Sequence, residues 1–426
     1  MPSRWVLCCG MGFLLPISMA DLPPGEPNPE VKKFIRQLDA ADPNDRDKAE
    51  QAILSRGSDV LDQLPRADDP SLSAEQKLRL GRLLPTLMEQ RAKKSLEASR
   101  VIWGETSLPL QKVIERIQTE TGNRLIDLRE SLEQGSADVR LDPLRKETTF
   151  WEFLQLLEKQ SGLITFPNQE GPAIGLAEGA KFVGPEVLAG PLRLRVNRVI
   201  CRREFIGEGT LPELFFDISI DIEPRLRPLQ FQIAADDLTV TDEAGNNVPS
   251  RGPDRQYLTL DEGATSLAVP LRFEAPARSV RKISRVAGTI ELAIAAESMS
   301  FVFSEITQAK NVEQRRSNQQ VILDRVDTEQ PGLWGVHLIV SRDDIDPESY
   351  LQTELRNEAF LVSAQGGKTP AEGGMNTQDL GDGRTECEFI FVDLPGKIED
   401  YKLEVTVPGR IVRGAIPFSF GEIELP

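Results

Sequence analysis

The sequence is nearly without histidine: His337 is the one imidazole among 426 residues. That scarcity excludes His-rich metal sites and makes histidine acid–base chemistry a poor expectation. Cysteine is scarce as well. Cys8 and Cys9 lie at the extreme N-terminus, which leaves Cys201 and Cys387 for the body of the chain, and no CxxC redox or zinc pattern occurs. Positive charge is in deficit, with 50 Lys+Arg against 67 Asp+Glu and a formal net charge of −17. Such a balance argues against a nucleic-acid backbone or an anionic membrane surface as partner. Long apolar runs are missing too; no stretch reaches 18 apolar residues, so a helical membrane protein is not expected. There is no P-loop, no GxGxxG opening a helix after a strand, and no GxSxG elbow.

What remains is a chain of ordinary globular composition, long enough for three or four domains. Residues 1–20 read as an export signal. Arg4 is the charged start, Trp5–Leu15 is a short apolar run broken by Pro16, and Ser18-Met19-Ala20 offers small residues for cleavage. The run is too short for about 30 Å of hydrocarbon. Export places the mature chain in a periplasm or outside the cell. That compartment permits a disulfide between Cys201 and Cys387, although their placement in separate domains favours two free thiols.

Residues 21–98 form a helical segment after a Pro-rich lead. Val31, Phe34, Ile35 and Leu38 mark one helix face, and Ala49, Ala52 and Ile53 another, ended by Gly57. Ser58 and Ser73 are the expected N-caps of two further helices, the second carrying Leu78, Leu80, Leu83, Leu84, Leu87 and Met88 with Pro85 inside it. The run from Asp42 to Leu84, with Arg46, Ala49, Gly57, Leu61 and Leu64, resembles a HEAT-like helical repeat. It holds about one and a half units, too few for a free-standing solenoid. It is either a hairpin covering its neighbour or a partner-binding surface.

Residues 99–180 contain an internal repeat. Leu110, Val113, Ile114 and Ile117 match Phe150, Phe153, Leu154 and Leu157, each 40 residues further on, and both helices run into glycine, Gly122 and Gly162. Thr106 and Thr148 are the expected N-terminal signals. Strand-like stretches at 100–103, 124–128, 137–141, 163–166 and 173–176 give the order β-α-β-β-α-β. The segment resembles the short N-terminal module of secretins and TonB-dependent receptors. That resemblance implies a periplasmic, protein-binding, non-catalytic unit; no barrel follows it here, so transport across a membrane is not carried over. The KH module is also a β-α-β pair, but it needs a basic GXXG loop, and Glu120-Thr121-Gly122-Asn123-Arg124 lacks one.

From Gly190 onward the pattern alternates between Gly/Pro/Asn turns, as in β-sandwiches. Here too the chain repeats itself. Arg198-Val199 matches Arg325-Val326, Asp221-Ile222-Glu223-Pro224 matches Asp344-Ile345-Asp346-Pro347, and Phe301–Ile306 matches Phe418–Ile423. Two antiparallel, Ig-like sandwiches are expected at 190–308 and 312–426. The DIEP and DIDP motifs read as strand ends, and the FxFxEI motifs as core strands. The helical lead, the secretin-like module and the closing IPFSFGEIELP look like domains of exported proteins of planctomycete-type bacteria, a resemblance that implies location and architecture only.

The expected fold class is therefore multidomain α+β. No residue is nominated as catalytic, cofactor-binding or metal-ligating. His337 lies in a strand pattern, Trp334–Val340, and reads as structural. Asp343, Asp344 and Asp346, and separately Asp379 and Asp382, are clustered oxygens that fit no calcium loop, and DLGDG reads as a hairpin turn. The expected function is a non-enzymatic interaction or scaffold protein of the cell envelope whose partner is another envelope protein. The alternative is a carbohydrate-binding or carbohydrate-cleaving protein, which would expose rings such as Trp334 or Tyr350 along a groove and could use a carboxylate pair.

Overall fold

A computed structural model describes residues 28–426 apart from Asp68, 104–105, Ser136, 169–170, 203–211, Glu262, 317–318, Pro331, 343–356, Asp382 and Pro395. The expected export signal, with Cys8 and Cys9, lies outside the described residues, as do Asp343, Asp344, Asp346, Tyr350 and Asp382. The chain divides into two compact units, one up to Arg91 and one from Ala92 to Pro426. Among the described residues, no helix is long and apolar enough to cross a membrane.

The first unit is helical. Helix α1 (Pro29–Gln37) is capped by Asn28 and α2 (Pro43–Ser55) by Asp42, each with proline at its start, where no amide bond is lost. Gly57 turns the chain at φ +70°. Ser58, expected as a cap, instead lies buried inside the short 3-10 helix Gly57–Gln63, because that helix opens at the glycine itself. Ser73 does cap α3 (Ala74–Ser95): its hydroxyl accepts from Gln76 N (3.2 Å) while Gln76 Oε1 accepts from Ser73 N (2.9 Å), a reciprocal capping box. Val31, Leu38, Ala49, Ile53, Leu80, Leu83 and Leu87 share one core.

The second unit is dominated by antiparallel sheet. It begins with the repeated module. Helices α4 (Leu110–Thr121) and α5 (Phe150–Ser161) end at left-handed glycines, Gly122 (φ +75°) and Gly162 (φ +77°), where a side chain would strain the backbone. Their starts differ from expectation. Neither Thr106 nor Thr148 is a cap, because each helix is entered directly from a strand. Phe150 N donates to Ser99 O (3.0 Å) and Leu110 N to Val139 O (2.7 Å). Thr149 and Glu152 close a capping box on α5. The strands form three small sheets rather than one: Arg100–Trp103 with Leu144–Thr149, Leu108–Pro109 with Arg140–Leu141, and Leu125–Asp127, Ile174–Ala177 and Ile164–Pro167 together. One core unites them, with Trp103 edge-on to Phe153 at 5.5 Å.

Two larger pairs of β layers follow. A four-stranded sheet runs in the order Ser266–Glu274, Glu213–Ile222, Leu192–Arg202, Glu186–Ala189. Its inner face shares a core with a sheet built on the 14-residue strand Lys282–Ala295. A second core joins the sheet of Ser298–Phe303, Lys402–Pro408, Glu358–Val362 and Lys368–Pro370 to the five-stranded sheet of Val312–Arg316, Gln319–Gln330, Leu333–Arg342, Arg384–Val392 and Gly374–Gly381.

The pairing departs from the expected division at 308/312. Ile411–Phe420, placed by sequence in the second layer pair, runs antiparallel to Lys282–Ala295 from Val286–Phe420 to Ala295–Ile411. Phe418 and Phe420 therefore belong to the first core, and Phe301, Phe303 and Ile306 to the second. The two FxFxEI motifs do fill cores, but each closes the layer pair other than the one expected. The second layer pair is thus an insertion in a loop of the first, between Ala295 and Ile411.

Candidate functional site

The face of the four-stranded sheet turned away from its core is where the molecule concentrates unusual chemistry. Along Leu192–Arg202, alternation sends Leu192, Leu194 and Val196 inward and Arg193 and Arg195 outward; a bulge at Asn197, where the register against Asp217 and Ile218 shifts, then turns Arg198, Ile200 and Arg202 to the same outward face. Arg193 is almost fully buried, at 1% exposure, because the module covers it. Its guanidinium stacks on the Trp151 ring of α5 at 4.4 Å. Nε donates to Asp221 Oδ2 (2.9 Å) and Nη1 to Thr165 Oγ1 (2.8 Å). Nη2 also lies 2.8 Å from Asp221 Oδ2 but is poorly aligned for a hydrogen bond. Ser266 Oγ donates to the other Asp221 oxygen (2.6 Å), and Trp151 Nε1 to Pro191 O (2.9 Å). Burial pulls the guanidinium below its ordinary value and the Asp221 carboxylate opposes that pull.

A second buried carboxylate continues the contact. Glu223, fully buried, accepts from Ser99 N (2.9 Å), Asn123 Nδ2 (3.2 Å) and Arg225 Nε. Asn123 returns the bond by accepting from Arg225 N (3.1 Å). The DIEP motif, expected only to end a strand, therefore supplies both acids that hold the module to the sheet. Nothing in its strand pattern signals this, since acids at a strand end read equally well as solvent-facing.

Further along the same face the module stops. Arg195 stacks on Phe182 at 5.0 Å and pairs with Glu186, which also accepts from Gln155 of α5 (2.6 Å). Burial pushes the Glu186 carboxyl up, but hydrogen bonds from Arg195 and Gln155 outweigh it and hold the group below the usual carboxylate value. Beyond this point lies an open pocket of about 260 Å³, lined by Ile200, Phe215, Phe216 and Pro270 with Arg198, Arg202 and the carboxylate of Asp217. Arg202 lies over the Phe215 ring at 4.5 Å and Arg272 at 5.6 Å. Ile200 is 36% exposed.

The residues raised by sequence fall elsewhere. His337 sits on the outer face of the five-stranded sheet, 8% exposed. Its Nδ1 lies 3.0 Å from Arg325 Nη2 and 3.1 Å from Glu386 Oε1, and its Nε2 lies 3.4 Å from Asp327 and 3.6 Å from Glu388. Arg325 also bonds Asp327 and approaches Glu386 at 3.4 Å. A Cβ on Gly335 would come within 3.1 Å of Glu388 Oε1, so glycine makes room for this network. No serine or cysteine among the described residues bonds the ring, so no nucleophile triad is assembled on it. No group of three or more His, Cys, Asp or Glu among the described residues is arranged to hold a metal ion. Cys201 and Cys387 are not in a disulfide; the first is exposed and the second lies in the second core, where Asn357 Nδ2 approaches its sulfur at 3.7 Å. Burial raises the Cys201 thiol. Asp379 precedes a hairpin between Gly374–Gly381 and Arg384–Val392, with Gly381 and Gly383 at positive φ. Trp334 packs half-buried against the second core.

Comparison with protein-family models, curated proteins and solved structures found no match to this chain.

Proposed function

We propose that this is a non-enzymatic interaction protein of the cell envelope, exported to a periplasm or beyond, in which a secretin-like module is fixed to an Ig-like β-sandwich, itself carrying a second one as an insertion, to present a protein-binding surface. The observation that carries the reading is the pocket at Phe215. Aromatic and arginine side chains are the residue types that dominate binding energy at protein interfaces, and here they stand together on a rigid sheet. The buried Arg193–Asp221 and Glu223–Asn123 contacts add support, since they preorganise the surface at no cost to a later partner. Of the two rings raised for a carbohydrate groove, Trp334 packs half-buried against the second core, and Tyr350 lies outside the described residues.

Site-specific photo-crosslinking in the producing cells tests the proposal. A crosslinking residue at Ile200 is expected to yield a reproducible protein adduct that disappears with Phe215→Ala. One at Val312, exposed in the second layer pair, is the control. Absence of a reproducible adduct at Ile200 and at a panel of other exposed positions overturns the reading.

A further inference from the structure

We infer that the uncovered end of the four-stranded sheet docks a protein segment in which a carboxylate stands beside an aliphatic or aromatic side chain. The inference rests on the protein-binding reading and names its partner chemistry. Two observations carry it.

The first is continuity with an interface already formed within the chain. One sheet face carries a series of arginine–aromatic stacks. Arg193 on Trp151 is covered by the module, Arg195 on Phe182 lies at its margin, and Phe215 with Arg202 and Arg272 lies beyond it. At the covered end the occupant is itself a protein element, α5, which contributes a ring, while carboxylates neutralise the guanidiniums. The face keeps that chemistry where the module ends, and there the apolar part is open.

The second is the charge pattern of the cross-strand rows. Arg198 stands opposite Asp217, and Arg202 opposite Glu213; Glu274, next in the second row, pairs with Arg251 at 3.8 Å, so these rows balance. Between them Ile200, Phe215 and Arg272 form one row across three strands. Among the described residues no carboxylate bonds or pairs with the Arg272 side chain. The middle row thus offers an apolar seat, bounded by Pro270, beside one uncompensated guanidinium. An apolar side chain on Ile200 and Phe215 with a carboxylate reaching Arg272 satisfies both. Arginine's planar fork suits a carboxylate in this setting. A purely anionic polymer would leave the apolar seat wet, and a purely apolar one would bury Arg272 without a partner.

The test uses the whole mature chain and two bead-displayed octapeptide libraries. One mixes Asp and Glu with Leu, Phe and Trp; the other replaces the acids by Lys and Arg. The expected result is saturable enrichment from the acidic library only, with acids adjacent to apolar residues. Arg272→Glu and Phe215→Ala should each weaken an enriched peptide by about thirtyfold or more, the scale of an interface hot spot. Both side chains point away from the core, so unchanged thermal melting is the check that the variants fold. No enrichment, equal binding of polyglutamate or a heparin fragment, or indifference to Arg272 and Phe215 overturns the inference. If crosslinking at Ile200 still captures a partner in that event, the protein-binding reading survives and only its chemistry is wrong. If crosslinking fails at every position as well, both fall.

Discussion

Arg193 lies with its guanidinium 4.4 Å above the Trp151 ring, a stack at the centre of the contact between the module and the sheet. The arginine is buried and its charge is answered by Asp221 on the neighbouring strand, directly opposite in register. A desolvated cation on an indole is worth about 2 kcal/mol, but the larger effect is what its removal leaves behind.

Arg193→Met should therefore destabilise the chain by about 3 kcal/mol or more, because it strands the Asp221 carboxylate in a dry interface. Arg193→Met with Asp221→Asn should recover a substantial part of that loss. Equilibrium denaturation of both variants is the measurement. If the double variant is no better than the single one, the cost lies in packing against Trp151 rather than in the orphaned charge.

Glu223→Ala tests the second contact. It removes the acceptor for Ser99 N and Asn123 Nδ2 and leaves buried donors unmet, each at a cost of about 1–3 kcal/mol. The expected outcome is faster amide exchange across α4 and the Ser99–Trp103 segment, with the five-stranded sheet unchanged. Uniform loss of protection through both layer pairs would show that the contact is not local to the module.

Much of this was legible in the residues. The 40-residue repeat places α4 and α5, and Gly122 and Gly162 end them in the left-handed turn their position calls for. Alternation in Leu192–Ile200 sends Arg193 and Arg195 outward as far as Val196, but it does not foresee the bulge at Asn197, which turns Ile200 to the arginine face and Val199 to the core. What alternation cannot show is whether another element covers the outward face. Arg193, Asp221 and Glu223 look like solvent-facing charges until the module is laid over them. The same limit explains the exchanged closing strands. Phe301–Ile306 and Phe418–Ile423 are equivalent as sequence, and local pattern says nothing of which long-range partner each finds. The pocket at Phe215 was missed because its row is assembled from three strands far apart in the chain.

Acid should weaken the fold in a defined window. Glu186 and Asp127 are both held below the ordinary carboxylate value. Burial works against Glu186, and the bonds from Arg195 and Gln155 prevail; at Asp127 the Arg129 hydrogen bond is the largest cause. A depressed folded value means that the unfolded chain takes up protons first as pH falls. Their contribution is thus fully present above the unfolded value of about 4 and is lost below it, down through the folded values. The denaturation midpoint should be flat from neutral pH to about 5 and then fall. Glu186→Gln, which cannot titrate, should start lower at neutral pH and fall less steeply in acid. Parallel acid limbs for the two proteins would exclude Glu186 as a contributor.

The closing strand offers the sharpest contrast between sequence and structure. Phe418 is 5% exposed in the first core and lies edge-on to Phe420 at 6.0 Å. Its strand pairs with Lys282–Ala295 across the whole of its length, so its loss opens the first layer pair and not the second, although it follows the second in the chain. Phe418→Ala should cost about 3–5 kcal/mol through lost burial and the cavity left behind. Hydrogen exchange should then speed up in Lys282–Ala295 and Glu213–Ile222, while Leu333–Arg342 and Arg384–Val392 keep their protection. Phe391→Ala, in the second core, should give the reverse map. Were Phe418→Ala to deprotect Leu333–Arg342 first, the strand would belong with its sequence neighbours and the insertion would be refuted.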